Sequence, residues 1–289
     1  MTPELKCPIC AGTSHLDFVK HDYRIFACDS CKHRFADIPQ SPQHTESVYV
    51  KDDGYFFEGG AGYLDYTSES DLLIAHGEQY ANILKRYTTP GIVFDVGSAA
   101  GFILTGFTQK GWNGKGIEPN GSMAAYARRE LKMDVETGIF EQYRTEEKFD
   151  LVTMIQVIAH VYDVRKTLEI THDLLRKDGL LLVETWDRES LPARLLGTNW
   201  HHYSPPSVVN WFSMQGLKML IEQFGFEQIA RGRPSKWITG SHAKSLVGYK
   251  LKSMKGGNLL YRILNILPDK LKIPYPSFDL FWALFRKKH

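Results

Sequence analysis

Four cysteines stand in the first 31 residues, as CPIC at 7–10 and CDSC at 28–31, and the chain has no others. Two residues between thiolates let one tight turn aim both sulfurs at a single ion, and a second such turn closes a tetrahedron. Cys7, Cys10, Cys28 and Cys31 are therefore candidate ligands of a structural Zn2+. A full set of thiolates leaves no position open for water or substrate. Pro8 stiffens the first turn, and the segment between the pairs, FVKHDYRIFACD, has the aromatic and β-branched content of a hairpin. A disulfide pairing fits poorly with a cytosolic chain, and redox iron is a minor alternative. With four sulfurs sufficient, His15, His21 and His33 read as surface residues.

A second group of residues carries a different chemistry. VFDVGSAAGF at 93–102 is an apolar run ending in Asp95, followed at once by Gly97, Ser98, Ala99, Ala100 and Gly101. Small side chains after a strand let the backbone approach a ligand, and the helix that follows begins with free N–H groups. Asp95 suits an ammonium or a hydroxyl better than a phosphate, which argues against a dinucleotide. The Lys and Ser/Thr of a P-loop are absent. Glu118 ends the next strand, GKGIEP, 23 residues after Asp95. A carboxylate there can accept both hydroxyls of a ribose. The two acids together fit a nucleoside with a cationic, phosphate-free tail, and S-adenosylmethionine is such a molecule.

The elements that must position these residues follow from the pattern. Pro, Ser, Asp and Gly dominate after Phe35, so residues 41–63 read as a linker with room for one short ordered piece. Apolar spacing predicts an amphipathic helix from about Leu64 to Tyr87. Strands IVFDVG, GKGIEP, FDLVTMIQV and DGLLLVETW then alternate with helices through FILTGFTQKG, SMAAYARREL and VRKTLEITHDLLRK. A helix over Ser207–Phe224, a strand FEQIARG and a closing FDLFWALF complete the series. Alternation of this kind implies an α/β fold, a doubly wound and mostly parallel sheet covered on both faces.

Residues 64–289 resemble a class I S-adenosylmethionine-dependent methyltransferase. DVGSAAG resembles the family's first motif, an acid followed by three glycines at alternate positions, at Asp95, Gly97 and Gly101. Ala99 stands in the middle glycine's place. One methyl group is tolerable there if the residue needs no positive φ. The resemblance implies a seven-stranded sheet, the ribose-binding role for Glu118, and adenine contacts at Ile139 and Phe140 in IFEQY. It places KFDLVTMIQVIAHVYD at the fourth strand and its turn, and FDLFWALFRKK at an antiparallel seventh strand. The Asp/Asn-Pro-Pro-aromatic motif of adenine-N6 and glutamine methylases is missing, since that position reads QVIAH.

Methyl transfer is an in-line displacement at an activated carbon, so alignment of donor and acceptor is the main task. A hydroxyl or acidic C–H acceptor also needs a base. His160, just past the fourth strand, and His201 and His202, in NWHHYSPP, are the candidates, while each is equally readable as a cap or packing residue. Gln156 is readable as a cofactor contact or as a polar strand end. Trp200 and Tyr203 could form an aromatic wall.

The chain has 289 residues, 43% hydrophobic and 24% charged, with a net charge of +2. The charge is unevenly spread: Arg231–His289 holds 13 Lys and Arg against Asp269 and Asp279. A basic and apolar insertion at about 241–276, with Leu259, Leu260, Ile263, Leu264 and Leu267 on one helical face, is readable as a packing helix or as a contact for a membrane surface or lipid-linked acceptor. A small-molecule, sugar or phosphate-bearing acceptor, with O- or C-methylation, is the leading expectation. An RNA methyltransferase, or a non-catalytic zinc-ribbon module on a degenerate fold, is the alternative. No leader-like segment and no run approaching 18 apolar residues is present, so a cytoplasmic protein is expected, with a membrane-peripheral one as the alternative. The expected division is a zinc ribbon over 1–40, the linker, and the methyltransferase domain from 64.

Overall fold

The computed structural model describes residues 5–50, 69–241, 244, 268, 269, 271–275 and 278–288. Most of the linker beyond residue 50, and the apolar helical face expected at 259–267, lie outside the described residues.

The main sheet has seven strands: β4 (Ile92–Val96), β5 (Asn113–Glu118), β6 (Asp134–Thr137), β7 (Phe149–Ile155), β8 (Leu175–Trp186), β10 (Phe226–Gly232) and β13 (Leu280–Lys287). Their spatial order is β6-β5-β4-β7-β8-β13-β10. Pairings from β6 to β8 are parallel, whereas β13 runs antiparallel to both β8 and β10. This is the class I methyltransferase sheet, and FDLFWALF supplies its antiparallel strand as expected. Strand order reverses beside β4, so the loops after β4 and β7 meet at the carboxyl edge where ligands bind in such sheets.

Alternation along each strand decides which face receives which helix. Val93, Leu151, Leu180, Leu182 and Leu284 pack with Tyr80 and Leu84 of α2 (Ser70–Leu84), with Leu104 and Phe107 of α3 (Phe102–Gln109), and with Ala124 and Ala127 of α4 (Gly121–Glu130). Phe94, Val152, Met154, Leu181, Val183 and Phe285 face the other way, onto α5 (Val164–Leu174) and α7 (Met214–Glu222). Helices α2 and α3 approach so closely that a Cβ on Gly77 or Gly106 would run into the partner's backbone.

The cysteine-bearing segment joins that second core. Strands β1 (Ser14–Lys20), β2 (Tyr23–Cys28) and β3 (Arg34–Ala36) form an antiparallel sheet whose fourth member, β9 (Asn210–Trp211), comes from the far end of the chain. Cys7, Ile9, Phe26, Cys28 and Phe35 are buried in the same cluster as Phe212 and Leu217. His33, expected at the surface, is buried here, and its Nε2 donates to Asn210 Oδ1 at 3.2 Å. The helix expected over Ser207–Phe224 begins only at Met214, where the Ser213 hydroxyl accepts from Gly216 N–H at 3.0 Å. The residues before it are used for β9. Residues 42–50 are an ordered piece: α1 (Pro42–Thr45) runs into a single wide turn, Glu46–Val50. Between β10 and β13 the chain makes a two-stranded ribbon of β11 (Lys236–Thr239) and β12 (Lys272–Tyr275). Within the described residues no helix is long and apolar enough to cross a membrane; α6 (Leu191–Leu196) is short.

Candidate active site and metal centre

The turn after β4 is strapped to β5: the N–H groups of Gly97 and Ser98 both donate to Ile117 O, at 2.9 and 3.1 Å. Gly97, Ala99 and Gly101 have φ of 67°, 47° and 81°. Ala99 therefore adopts the left-handed conformation, contrary to the condition under which its methyl group costs nothing, and bears roughly 1–2 kcal/mol for a residue with a Cβ. Its N–H donates to Glu118 Oε2 at 2.9 Å, while Asn120 N–H donates to Oε1 at 2.8 Å. Glu118 thus organises the turn, and each carboxylate oxygen keeps acceptor capacity for a ligand. Asp95 lies beneath the turn, accepting from Thr153 Oγ1 at 2.5 Å, and does not line the cavity. Ser98 and Gly101 also stand behind it: the Ser98 hydroxyl donates to Asp95 O at 2.7 Å, and Gly101 caps α3. Burial pushes both acids up to about 7, against hydrogen bonds from Thr153 and Ser98 for Asp95 and from the Asn120 and Ala99 N–H groups for Glu118.

Above the turn opens a cavity of about 690 Å³. Gly97, Ala99, Glu118, Ile139, Phe140 and Gln156 line one end, and His160, His201 and His202 another. Of the sequence-derived candidates, these nine share one space. Gln156 sits at φ 58° and directs its amide N–H to Glu184 Oε1 at 2.8 Å.

His160 is held by residues far away in sequence. Its Nδ1 is 2.7 Å from Ser207 O and 2.8 Å from the Tyr49 hydroxyl, which itself donates to Ser207 O at 2.9 Å. A carbonyl only accepts, so Nδ1 carries the proton and Nε2 carries the lone pair. Burial pushes this imidazole down to about 4, outweighing the Ser207 carbonyl, which favours the cation. His202 stacks on Trp186 with ring centroids 4.1 Å apart, and its Nε2 is 3.5 Å from Asp279 Oδ2. Burial raises the Asp279 carboxyl, but His202 and the Trp200 N–H hold it below the usual range. Trp200 and Tyr203 are buried behind the wall, with Trp200 Nε1 donating to Asp279 at 3.2 Å.

Three cavity residues, Tyr49, His76 and Trp186, and Glu184 just behind them have no motif to announce them. The Glu184 carboxylate is fully buried on β8. It receives His76 Nε2 at 2.8 Å, the Tyr80 hydroxyl and the Gln156 amide. Tyr49 belongs to the stretch read as linker. A lone Glu in an apolar strand was the one available signal for Glu184.

In the N-terminal segment Cys7 Sγ lies 3.5 Å from Cys31 Sγ, and Cys10 Sγ 3.4 Å from Cys28 Sγ, with all four sulfurs within 4.8 Å of one another. Four thiolates about 2.3 Å from one zinc ion stand about 3.8 Å apart, so the cluster fits that ion without rearrangement of the turns. No disulfide links them.

The model of a family described as a methyltransferase domain matches residues 74–230, more than half of the chain. The ubiquinone biosynthesis O-methyltransferase of Rhodopseudomonas palustris strain BisB18 is 31% identical over 184 residues, covering 62% of this chain and 63% of that protein. The chain spans about two fifths to three fifths of the length of the curated relatives it matches. A SAM-dependent methyltransferase of Thermotoga maritima, described as a possible histamine N-methyltransferase, superposes with a TM-score of 0.52 at 21% identity, over 81% of this chain and 99% of that one. The magnesium protoporphyrin IX methyltransferase of Synechocystis PCC 6803, solved with SAH, gives 0.52 at 12% identity, over 80% and 91%. Both structures share the fold. With the seven-stranded order, the turn after β4 and the family match in agreement, the chain belongs to the methyltransferase-domain family.

Proposed function

We propose that the protein transfers the methyl group of S-adenosylmethionine to a hydroxyl of a small, largely apolar acceptor. The observation that carries this reading is the single cavity that joins the Glu118 turn to a wall of imidazoles. Its volume of about 690 Å³ suits a nucleoside ligand and an acceptor together. When bound, the cofactor supplies an electrophilic methyl carbon and a thioether leaving group. Glu118 accepts the ribose hydroxyls, Ile139 and Phe140 flank the adenine, and Gly97 and Ala99 allow the amino-acid tail to approach the backbone. Asp95 and Ser98 hold the turn from behind, and Gly101 starts the helix. His160, His201 and His202 meet the acceptor, with Trp186 as a stacking surface.

No Lys or Arg is found among the described residues that line the cavity, whereas Glu69, Glu118 and Glu141 are. That lining favours a cationic donor and a neutral acceptor over RNA or a phosphate-bearing molecule. The O-methyltransferase names of the relatives support oxygen as the acceptor atom, and an apolar, lipid-linked acceptor agrees with them. The four cysteines hold a structural Zn2+ within residues 1–40, and the catalytic unit is residues 64–289.

Calorimetric titration with S-adenosylmethionine, with NAD as control and Glu118→Ala alongside, tests this. Binding of the first alone, weakened in the variant, is expected. A zinc-loaded, folded protein that binds neither would overturn the reading.

A further inference from the structure

The cavity presents two imidazoles with opposite surroundings. Three donors converge on the Glu184 carboxyl group, from His76, Tyr80 and Gln156. With Glu184 ionised it accepts from all three, and His76 Nε2 then carries the proton. Nδ1 is then the nitrogen available to a ligand, and His76 lines the cavity. Tyr80 packs edge-on to the same ring at 4.8 Å, and the buried contact of α2 with α3 fixes the helix that carries both. Among the described residues, Glu184 from β8 and Tyr80 from its own helix contact the ring, with His160, Glu69, Glu118 and Glu141 elsewhere on the cavity wall.

We propose that the acceptor's hydroxyl proton passes to Nδ1 of His76, with Glu184 as the positioning residue, and not to His160. The proposal rests on the methyl-transfer reading above. As the acceptor oxygen's lone pair forms the new O–CH3 bond, the C–S bond of the donor breaks and its electron pair goes to sulfur. The O–H bond breaks at the same centre, and its proton joins the Nδ1 lone pair. The imidazolium so formed stands 2.8 Å from a buried carboxylate, which offsets its charge. Protonation of His160 would instead leave a buried cation facing a backbone carbonyl, with burial already pressing that ring towards its neutral form. His160 keeps a lone pair, with which it accepts a hydrogen bond from a second donor on the acceptor. His202 has a carboxylate neighbour too, but at 3.5 Å rather than hydrogen-bond distance.

The test uses the full-length protein saturated with S-adenosylhomocysteine and 4-nitrophenol as a hydroxyl probe, at a pH where the free probe is neutral. Ionisation of the bound probe appears as the phenolate band. The band is expected in the wild type. It should fall at least tenfold in His76→Gln and in Glu184→Gln, with S-adenosylhomocysteine affinity within threefold of wild type by calorimetry. His76→Asn serves as the second variant if His76→Gln does not fold. A band that survives both His76 substitutions, or its absence from the wild type, overturns the proposal. Failure of the wild type to bind S-adenosylhomocysteine counts instead against the methyl-transfer reading itself.

Discussion

The two ends of the cavity are built on different plans. At the Glu118 end, one loop and the strand beside it do most of the work, and the hydrogen bonds that shape it run between neighbours: Gly97 and Ser98 to Ile117, Ala99 to Glu118. At the His160 end, every support comes from elsewhere in the chain, with Tyr49, Ser207, Trp186 and Asp279 converging from four segments. A local site survives as long as its own turn folds. A convergent site depends on everything that brings its pieces together, and here that includes the cysteine-bearing module.

The chain of contacts can be followed. Strand β3 pairs with β9, and Ala36 N–H donates to Val209 O at 2.9 Å. The N–H groups of Val209 and Asn210 both donate to Ala159 O, the residue before His160. Arg34 reaches across to the Tyr203 hydroxyl at 2.7 Å. Removing the proposed zinc by chelation, or replacing Cys28 by Ser, should therefore have the largest effect: more than about 4 kcal/mol of stability, or a fall in unfolding midpoint of about 10 °C. Hydrogen exchange should quicken at 204–212 while residues 93–101 keep their protection. Equal loss of protection at both ends would break the contrast between them.

Next in size is Glu118→Ala. It removes the acceptor for two backbone N–H groups and for the proposed ribose contact, so S-adenosylmethionine should bind about 30- to 100-fold more weakly, or roughly 2–3 kcal/mol. The local plan predicts that hydrogen exchange at 204–212 stays unchanged in this variant, the converse of the zinc experiment. Exchange that quickens there would show that the two ends are one cooperative unit.

The pH response gives a smaller effect with a definite sign. Asp95 and Glu118 are both raised to about 7 in the ligand-free protein, chiefly by burial. Their protonated forms are the ones the fold favours, so the stability they contribute is full below about pH 4 and is lost as pH rises through 7. Ligand binding needs the Glu118 carboxylate and runs the other way: S-adenosylmethionine affinity should fall up to about tenfold between pH 8 and pH 6. Calorimetry at the two pH values checks this, and Glu118→Gln should flatten the response. An affinity that rises towards pH 6 would count against a carboxylate at the donor end.

The same contrast sets how much of the molecule is legible in its sequence. The succession of strands and helices, the turn after β4, Glu118 and the cysteine pairs are legible because each is written in a few consecutive residues, whereas the order of strands in the sheet follows only from the family resemblance. Strand periodicity and small-residue turns are local consequences of backbone geometry. His76 and Glu184 are 108 positions apart, and Tyr49 and His160 are 111 apart. Nothing local marks either pair, because a mid-helix His and an in-strand Glu look like ordinary surface or packing residues until the sheet closes. His33 misled for the same reason, since its burial depends on β9 arriving from residue 210. Helix α7 starts late because that strand uses the residues before it.

Ala99→Gly offers the smallest and most local test. The alanine holds φ 47° through the hydrogen bond from its N–H to Glu118, so its Cβ strain is borne by the turn. Glycine removes about 1–2 kcal/mol of that strain and returns about 0.5–1 kcal/mol as extra freedom of the unfolded chain. The net gain, about 0.5–1 kcal/mol, should raise the unfolding midpoint by about 1–3 °C. Ala99→Val should lower it, because a β-branched side chain tolerates positive φ least. Since Ala99 also lines the cavity, loss of its methyl group should tighten S-adenosylmethionine binding by a few-fold at most. A glycine variant that is no more stable than wild type would mean that the strap to Glu118, and not the side chain, sets the energy of this turn. The donor end would then depend on its neighbouring strand as the acceptor end depends on its distant ones.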